Sequence, residues 1–177
     1  MADSRILVIY YSRTGTTRKI AESLTAALRC DSDEIIEARN RSRMLGYLRS
    51  LLEAQRQVPS RIAAASKDPS IYDLVVIGTP VWAWSVSSPV RAYLLANKPR
   101  LPAVAFFCTL GGAGGDRAFR QMEELAGKPP VGFLSLTARE VASATYQPRL
   151  AAFVEALQQG LAEPGKGAAA MALKRHG

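Results

Sequence analysis

Histidine and cysteine are scarce in this sequence of 177 residues, which contains one histidine and two cysteines. The histidine, His176, lies next to the C-terminal residue, so the sequence favours neither a histidine-based catalytic triad nor a zinc site built on histidines. Cys30 and Cys108 are too few for a disulfide scaffold. We expect both to be reduced residues in or near the core.

Long hydrophobic runs are also missing. No apolar stretch approaches the roughly 20 residues that a membrane-spanning helix needs. The apolar run over residues 6–11 is too short for a signal peptide, and no small-residue cleavage site follows it. The sequence therefore predicts a cytoplasmic protein with no transmembrane segment.

Acidic residues are fewer than basic ones. Lys and Arg number 23 against 15 Asp and Glu, which gives a formal net charge of +8. Such an excess favours acidic protein partners, phosphorylated cofactors, or weak attraction to anionic surfaces, and it indicates no specific binding of nucleic acid. Part of the excess lies in residues 39–61, on and around a predicted helix over residues 40–57. That segment is either a solvated basic face or a docking patch for an acidic protein or for the phosphates of NADPH.

The chain has the length and composition of one domain, with 48% hydrophobic residues. Apolar runs predict strands at residues 6–10, 34–38, 74–77, 104–108 and 131–136, and they alternate with amphipathic helices. This alternation predicts a doubly wound α/β fold with a parallel sheet. We expect a domain over residues 1–160, in which the last helix ends at Gly160, and a loose tail over residues 161–177.

Hydroxyl residues and one glycine follow the first predicted strand. They form the hydroxyl-rich loop, residues 12–17, which consists of Ser12, Arg13, Thr14, Gly15, Thr16 and Thr17. Apolar residues at helical spacing come next, so the loop should precede a helix N-terminus, where free N–H groups and the helix dipole favour an anion. A simple helix cap is the alternative interpretation.

Both tryptophans of the chain lie in one short segment after the third predicted strand. This tryptophan loop, residues 79–84, consists of Thr79, Pro80, Val81, Trp82, Ala83 and Trp84. A tryptophan pair at the carboxyl end of a parallel strand is either a lid on the core or a stacking platform for a flat aromatic ligand. Ser87 and Ser88 before Pro89 predict the start of the next helix.

Glycines follow the fourth predicted strand. The glycine loop, residues 109–115, begins with Thr109, Leu110, Gly111 and Gly112, and we expect Asp116 to cap the next helix and Gly127 to end it. Such a loop lets the backbone approach a ligand closely. We predict that residues 139–146 are irregular.

Together the three loops resemble those of the flavodoxin family. Ser12, Thr14, Gly15 and Thr17 match its Ser/Thr-x-Thr-Gly-x-Thr phosphate loop, and Gly78-Thr79-Pro80-Val81-Trp82 is similar to its first ring-binding loop. The resemblance implies a flavodoxin-like three-layer sandwich with a five-stranded parallel sheet in the order 2-1-3-4-5. It also implies bound flavin mononucleotide (FMN), with phosphate at residues 12–17 and the ring at residues 79–84 and 109–112.

The resemblance leaves two redox functions open. One is electron transfer through a non-covalently bound flavin to or from a protein partner. The net positive charge of the chain suggests that such a partner is acidic. The other is an NAD(P)H-dependent quinone or flavin oxidoreductase, with NADPH or NADH as reductant, because the glycine loop lacks the aromatic residue that covers one flavin face in many flavodoxins. A signalling module of the same topology would need an acidic cluster at the ends of early strands, which this chain lacks.

Overall fold

The computed structural model of the chain describes residues 4–38 and 62–162. Its strands are β1 (Ile6–Tyr10), β2 (Asp31–Glu34), β3 (Leu74–Trp82), β4 (Ser85–Val86), β5 (Ala103–Leu110) and β6 (Phe133–Thr137). Its α-helices are α1 (Thr16–Leu28), α2 (Ser88–Asn97), α3 (Gly115–Ala126), α4 (Ala138–Ala142) and α5 (Gln147–Ala162). Short 3₁₀ turns occur at Pro69–Ile71 and Lys98–Arg100.

The strands form one sheet in the order β2-β1-β3-β5-β6, with all neighbours in that path parallel. The short strand β4 pairs only with β3 and runs antiparallel to it. When β4 is set aside, the five parallel strands follow the predicted order 2-1-3-4-5, so the predicted flavodoxin-like α/β fold is confirmed. The strand order reverses between β1 and β3, and ligands of such sheets bind beyond the carboxyl ends of the strands at that point.

Helices cover both faces of the sheet, and each face has its own apolar core. Alternate residues of the central strands point to opposite faces, so Leu7 and Ile9 belong to one core while Val8 belongs to the other. The first core includes residues of α2 and α3, and the second includes residues of α1, α4 and α5. The central strands are buried on both faces, which explains their continuous apolar sequence.

The second strand is offset from its prediction. It covers Asp31–Glu34, in register with Leu7–Tyr10, whereas residues 34–38 were expected. The prediction followed the apolar pair Ile35 and Ile36, but Ile36 is 56% exposed in the structure. Because β2 is an edge strand, it tolerates a polar sequence, and apolar content is a poor guide to its position.

One helix and two helix boundaries also differ from their predictions. The segment expected to be irregular contains α4, which begins with a reciprocal cap: Thr137 Oγ1 accepts from the N–H of Glu140, and the Glu140 carboxylate accepts from the N–H of Thr137. Helix α5 continues through Gly160 to Ala162. The N-cap of α3 is Gly114, and Asp116 lies in the first turn.

Other local predictions agree with the structure. Gly127 ends α3 in a left-handed conformation, and Ser87 is the N-cap residue of α2, although its side chain makes no capping bond. Cys30 and Cys108 are free, half-buried and buried respectively. The predicted helix over residues 40–57, the basic residues of 39–61 and the tail beyond residue 162 lie outside the described residues. Within residues 4–38 and 62–162, no helix has the length and apolar character needed to cross a bilayer.

Candidate functional site

The three loops predicted to form a site leave β1, β3 and β5, which are adjacent in the sheet. In the register, Tyr10 lies opposite Gly78, and Pro80 lies opposite Thr109. All three loops therefore begin at the same carboxyl edge, at the reversal of strand order.

The hydroxyl-rich loop turns into α1 through Gly15, the N-cap residue, whose φ of 92° lies in the left-handed region that favours glycine. Ser12 Oγ accepts from the N–H groups of Gly15 and Arg18, at 3.2 and 3.1 Å. Ser12 thus shapes the loop from within. Thr14 and Thr16 have their hydroxyls 3.4 Å apart on the outer side of the loop.

Thr17 has a different environment from the other threonines of this loop. It is only 1% exposed, and its hydroxyl lies 2.8 Å from the hydroxyl of Thr109, the first residue of the glycine loop. This buried bond joins two loops that are 92 positions apart in the sequence. The contact of Thr17 with a phosphate, implied by the resemblance, stays a prediction, and the structure gives its hydroxyl a bond between the loops.

The tryptophan loop has more regular secondary structure than the sequence predicts. Strand β3 continues to Trp82, and Val81 and Trp82 pair with Val86 and Ser85 to form the tryptophan hairpin, residues 81–86. Ala83 and Trp84 form its two-residue turn with φ values of 48° and 57°. Two-residue turns of this kind need a positive φ at both positions and usually contain Asn or Gly, so the sequence gives no turn signal here. That is why the segment was predicted as an irregular loop.

Trp82 is held by two neighbouring side chains. The ring of Tyr11 meets it edge-on, with centroids 5.8 Å apart at 88°, and the Arg13 guanidinium lies 5.9 Å from its ring centroid. Tyr11 in turn donates to a carboxylate oxygen of Glu37 at 3.1 Å. Burial and the Glu37 charge raise the pKa of Tyr11 well above its usual value, so Tyr11 is a neutral donor at pH 7.

Trp84 packs against the glycine loop. The residue is 59% exposed, yet a Cβ built on Gly114 would come within 2.7 Å of Trp84 Cδ1 and 2.8 Å of Trp84 Cα. Gly114 also has a φ of 101°. Only glycine therefore suits this position, for space and for backbone conformation. The glycine loop, which contains no aromatic residue of its own, has Trp84 beside it.

The remaining predicted residues divide into buried and exposed groups. Thr79 is fully buried, and its hydroxyl accepts from the N–H of Ser87 at 3.1 Å, which ties β3 to the start of α2. Leu110 is buried as the last residue of β5, so it belongs to a strand and not to a loop. Gly111 and Gly112 are exposed, and a Cβ on either would meet nothing within 4 Å.

Four functional candidates were missed by the sequence analysis. Tyr11 and Glu37 hold Trp82, and their signal was weak, since Tyr11 only adjoins the hydroxyl-rich loop. Arg91 and Gln121 are buried polar residues behind the tryptophan hairpin. Gln121 interrupts an otherwise apolar helical stripe in α3, which was the one signal available for it.

The donor set of this edge suits a phosphorylated aromatic ligand. The first turn of α1 presents N–H groups that have no partner within the helix, next to the Thr14 and Thr16 hydroxyls and the Arg13 cation. The tryptophan hairpin supplies large aromatic faces, and the exposed glycines allow close approach of a backbone. The described residues contain no group of three or more His, Cys, Asp or Glu that could hold a metal ion.

Comparison with known proteins gives the family. The flavodoxin family model matches residues 5–135, which is well over half of the chain and includes all three loops. The chain belongs to the flavodoxin family.

Several solved structures share the fold of this chain. A flavoprotein from Lactobacillus acidophilus NCFM, solved in complex with FMN, is 25% identical, with a TM-score of 0.66 over 79% of this chain and 97% of that one. A putative flavoprotein from Bacteroides eggerthii DSM 20697 is 24% identical, with a TM-score of 0.64 over 79% of this chain and 94% of that one. An NADH:FMN oxidoreductase in its apo form shares the fold at 19% identity and a TM-score of 0.51, over 86% of this chain and 87% of that one. The sequence has no match among curated proteins.

Proposed function

We propose that this protein binds FMN non-covalently at the carboxyl edge of its sheet and transfers electrons through it. The observation that carries the proposal is the joining of the three loops by side-chain contacts: Thr17 with Thr109, Arg13 with Trp82, and Trp84 with Gly114. A phosphate loop, an aromatic hairpin and a glycine loop held together in this way form one site for one ligand. The FMN complex of the Lactobacillus flavoprotein supports the same ligand.

The residues of the chain have separate tasks in this proposal. The N–H groups at the start of α1 and the hydroxyls of Thr14 and Thr16 bind the phosphate, and Ser12 keeps the loop in shape. The tryptophan hairpin lines the ring, and the backbone of residues 109–112 approaches its polar edge. When bound, FMN supplies the redox chemistry, and the protein tunes it through stacking and hydrogen bonds.

Of the two tryptophans, we propose that Trp84 contacts the ring more directly. Tyr11 and Arg13 already contact Trp82, whereas Trp84 is largely exposed and lies beside the glycine loop. Replacing either tryptophan by Ala should weaken FMN binding, and Trp84→Ala should weaken it more than Trp82→Ala. Equal affinities of both variants and the native protein would mean that the pair has a structural role only.

An NAD(P)H-dependent quinone or flavin oxidoreductase is the second candidate. It is favoured by the exposure of Gly111 and Gly112, because hydride transfer needs one open face of the flavin. The excess of positive charge suits either the phosphates of NADPH or an acidic redox partner. The free cysteines fit a reducing compartment such as the cytoplasm.

Absorption spectroscopy without oxygen separates the two candidates. Bleaching of the protein-bound flavin by NADPH or NADH alone would support the oxidoreductase, and quinones would then be tested as acceptors. A flavin that stays oxidised until dithionite or a separate reductase is added would support electron transfer. Failure of the protein to bind FMN would overturn both.

A further inference from the structure

Behind the tryptophan hairpin lies a buried polar side chain on another element. Gln121, in the middle of α3, is 8% exposed. Its Oε1 accepts from the N–H of Val86 at 3.0 Å, and its Nε2 donates to Ser85 Oγ at 3.4 Å. Since β4 consists only of Ser85 and Val86, one amide side chain bonds to both of its residues.

Arg91 fixes the orientation of this amide. It lies on α2, is 6% exposed, and its Nη2 donates to the same Oε1 at 3.4 Å. Both the Val86 N–H and the Arg91 guanidinium can only donate, so both require the oxygen of Gln121, and the nitrogen is left for Ser85. Reversing the amide would bring donors against donors.

The Arg91 guanidinium has few polar partners in the protein. Its Nε has no hydrogen-bond partner, and no carboxylate of the described residues forms an ion pair with it. Burial lowers the pKa of Arg91, and the charge of Glu124 partly offsets this effect. Burying part of a guanidinium without an ion-pair partner costs free energy, so the contact of Arg91 with Gln121 is not explained by a gain from charge pairing.

The hairpin needs support from outside. Ala83 and Trp84 both have positive φ, a backbone conformation that is unfavourable for L-residues. Backbone strain of this kind persists only where the surrounding structure enforces it. Gln121 acts on β4, the strand that directly follows the strained turn.

We propose that Gln121, oriented by Arg91, is a positioning residue for the flavin ring: it fixes β4 and thereby the placement of Trp82 and Trp84. The inference rests on the proposed function, since it assigns the hairpin to the ring and not to the phosphate. It predicts that loss of the Gln121 bonds weakens binding of every flavin equally, whether or not the flavin carries a phosphate.

The test compares three variants. Gln121→Met keeps the length of the side chain and removes its hydrogen bonds. Gln121→Glu keeps an acceptor for Val86 and Arg91. Arg120→Gln, the matched control, changes the adjacent exposed residue of α3. Dissociation constants for FMN and riboflavin are measured by titration, and tryptophan emission is recorded without flavin. Because both tryptophans lie in the hairpin, this emission reports on the hairpin alone.

For Gln121→Met we expect about tenfold weaker binding of both FMN and riboflavin, the size of effect typical for loss of a buried hydrogen-bond set, with altered tryptophan emission. Gln121→Glu should bind both flavins within about threefold of the native protein, and Arg120→Gln should match it. Native affinity for both flavins together with native emission in Gln121→Met would overturn the proposal. So would a loss confined to FMN, because that loss would arise at the phosphate.

The role of Gln121 can also be tested if Gln121→Met does not fold or if the native protein binds no flavin. If Gln121→Met does not fold, Ser85→Ala removes only the acceptor of Nε2. It should weaken both flavins by about threefold and alter the emission, and native behaviour would contradict the proposal. If the native protein binds neither flavin, the proposed function fails, and unchanged emission of flavin-free Gln121→Met would separately reject the bracing role of Gln121.

Discussion

The hydroxyl-rich loop and the tryptophan hairpin lie at the same edge of the sheet and are held in different ways. In the hydroxyl-rich loop, Ser12 accepts hydrogen bonds from the backbone of the loop and of the adjoining helix turn. Its positive φ, of 92°, is at Gly15, and glycine adopts this conformation without strain. The hairpin has positive φ at Ala83 and Trp84, and it contacts Gln121 and Gly114 in other segments.

The two loops should respond differently to changes elsewhere in the chain. A loop shaped by its own residues can present N–H groups at a helix N-terminus in any member of the fold that keeps the motif. A strained hairpin braced by distant residues places its aromatic rings according to the rest of the domain. The proposed phosphate end of the site should therefore be less sensitive than the proposed ring end to changes elsewhere in the chain, apart from changes at Thr109.

The largest loss of stability is expected when Gly114, which packs against Trp84 of the hairpin, is replaced. Replacing Gly114 by Ala adds a Cβ within 2.7 Å of Trp84 at a φ of 101°, so it combines a clash with backbone strain. We expect a loss of about 2–4 kcal/mol in the free energy of unfolding, measured by urea denaturation. Gly112→Ala is the control, since its Cβ would meet nothing within 4 Å and it should change stability by less than about 0.5 kcal/mol. Equal losses in the two variants would mean that Trp84 does not pack as described.

A smaller effect is expected where the hydroxyl-rich loop does depend on another segment. Thr17→Val leaves the buried Thr109 hydroxyl without its partner, and Thr109→Val leaves the Thr17 hydroxyl without its partner. Each change should lower the free energy of unfolding by about 1–3 kcal/mol. The double variant should lose clearly less than the sum of the two single losses, because neither hydroxyl is then left unpaired. Strict additivity in the urea denaturation cycle would show that the 2.8 Å contact contributes no coupling.

The smallest effect is expected for Ala83→Gly, which tests whether the turn of the hairpin is strained. Ala83→Gly relieves a positive φ of 48° without removing a large side chain, and it should stabilise the protein by up to about 1 kcal/mol, after the entropic cost of glycine. The same urea denaturation applies. Gly15→Ala should act in the opposite direction by about 1–2 kcal/mol, since it imposes strain where there is none. A destabilised Ala83→Gly would argue against a strained turn.

The sequence predicts the buried strands and the order of the loops because these depend on local patterns. Continuous apolar runs locate β1, β3 and β5, and the hydroxyl-rich loop before α1 follows from helix N-terminus chemistry. The edge strand β2 escapes prediction since Asp31–Glu34 carries no apolar signal, and the neighbouring Ile36 gives a false one.

Long-range contacts set the remaining features of the site. Helical spacing from Ile20 and Leu24 places Thr17 on the buried side of α1, but the bond of its hydroxyl to Thr109 cannot be read from the local sequence. The hairpin turn at Ala83 and Trp84 lacks turn residues, because Gln121 and Gly114 supply its support from α3 and its N-cap. Such roles become visible only when the elements are packed together.

The central claim is that residues 12–17 bind the phosphate of FMN, and the most direct test is a parallel titration of the native protein and Thr14→Val with FMN and riboflavin. Thr14 is exposed on the outer side of the loop, so its replacement should leave the fold intact. We predict that the native protein binds FMN much more tightly than riboflavin, and that Thr14→Val loses affinity for FMN and not for riboflavin. Equal losses for the two ligands, or equal affinities of the native protein for both, would contradict the claim.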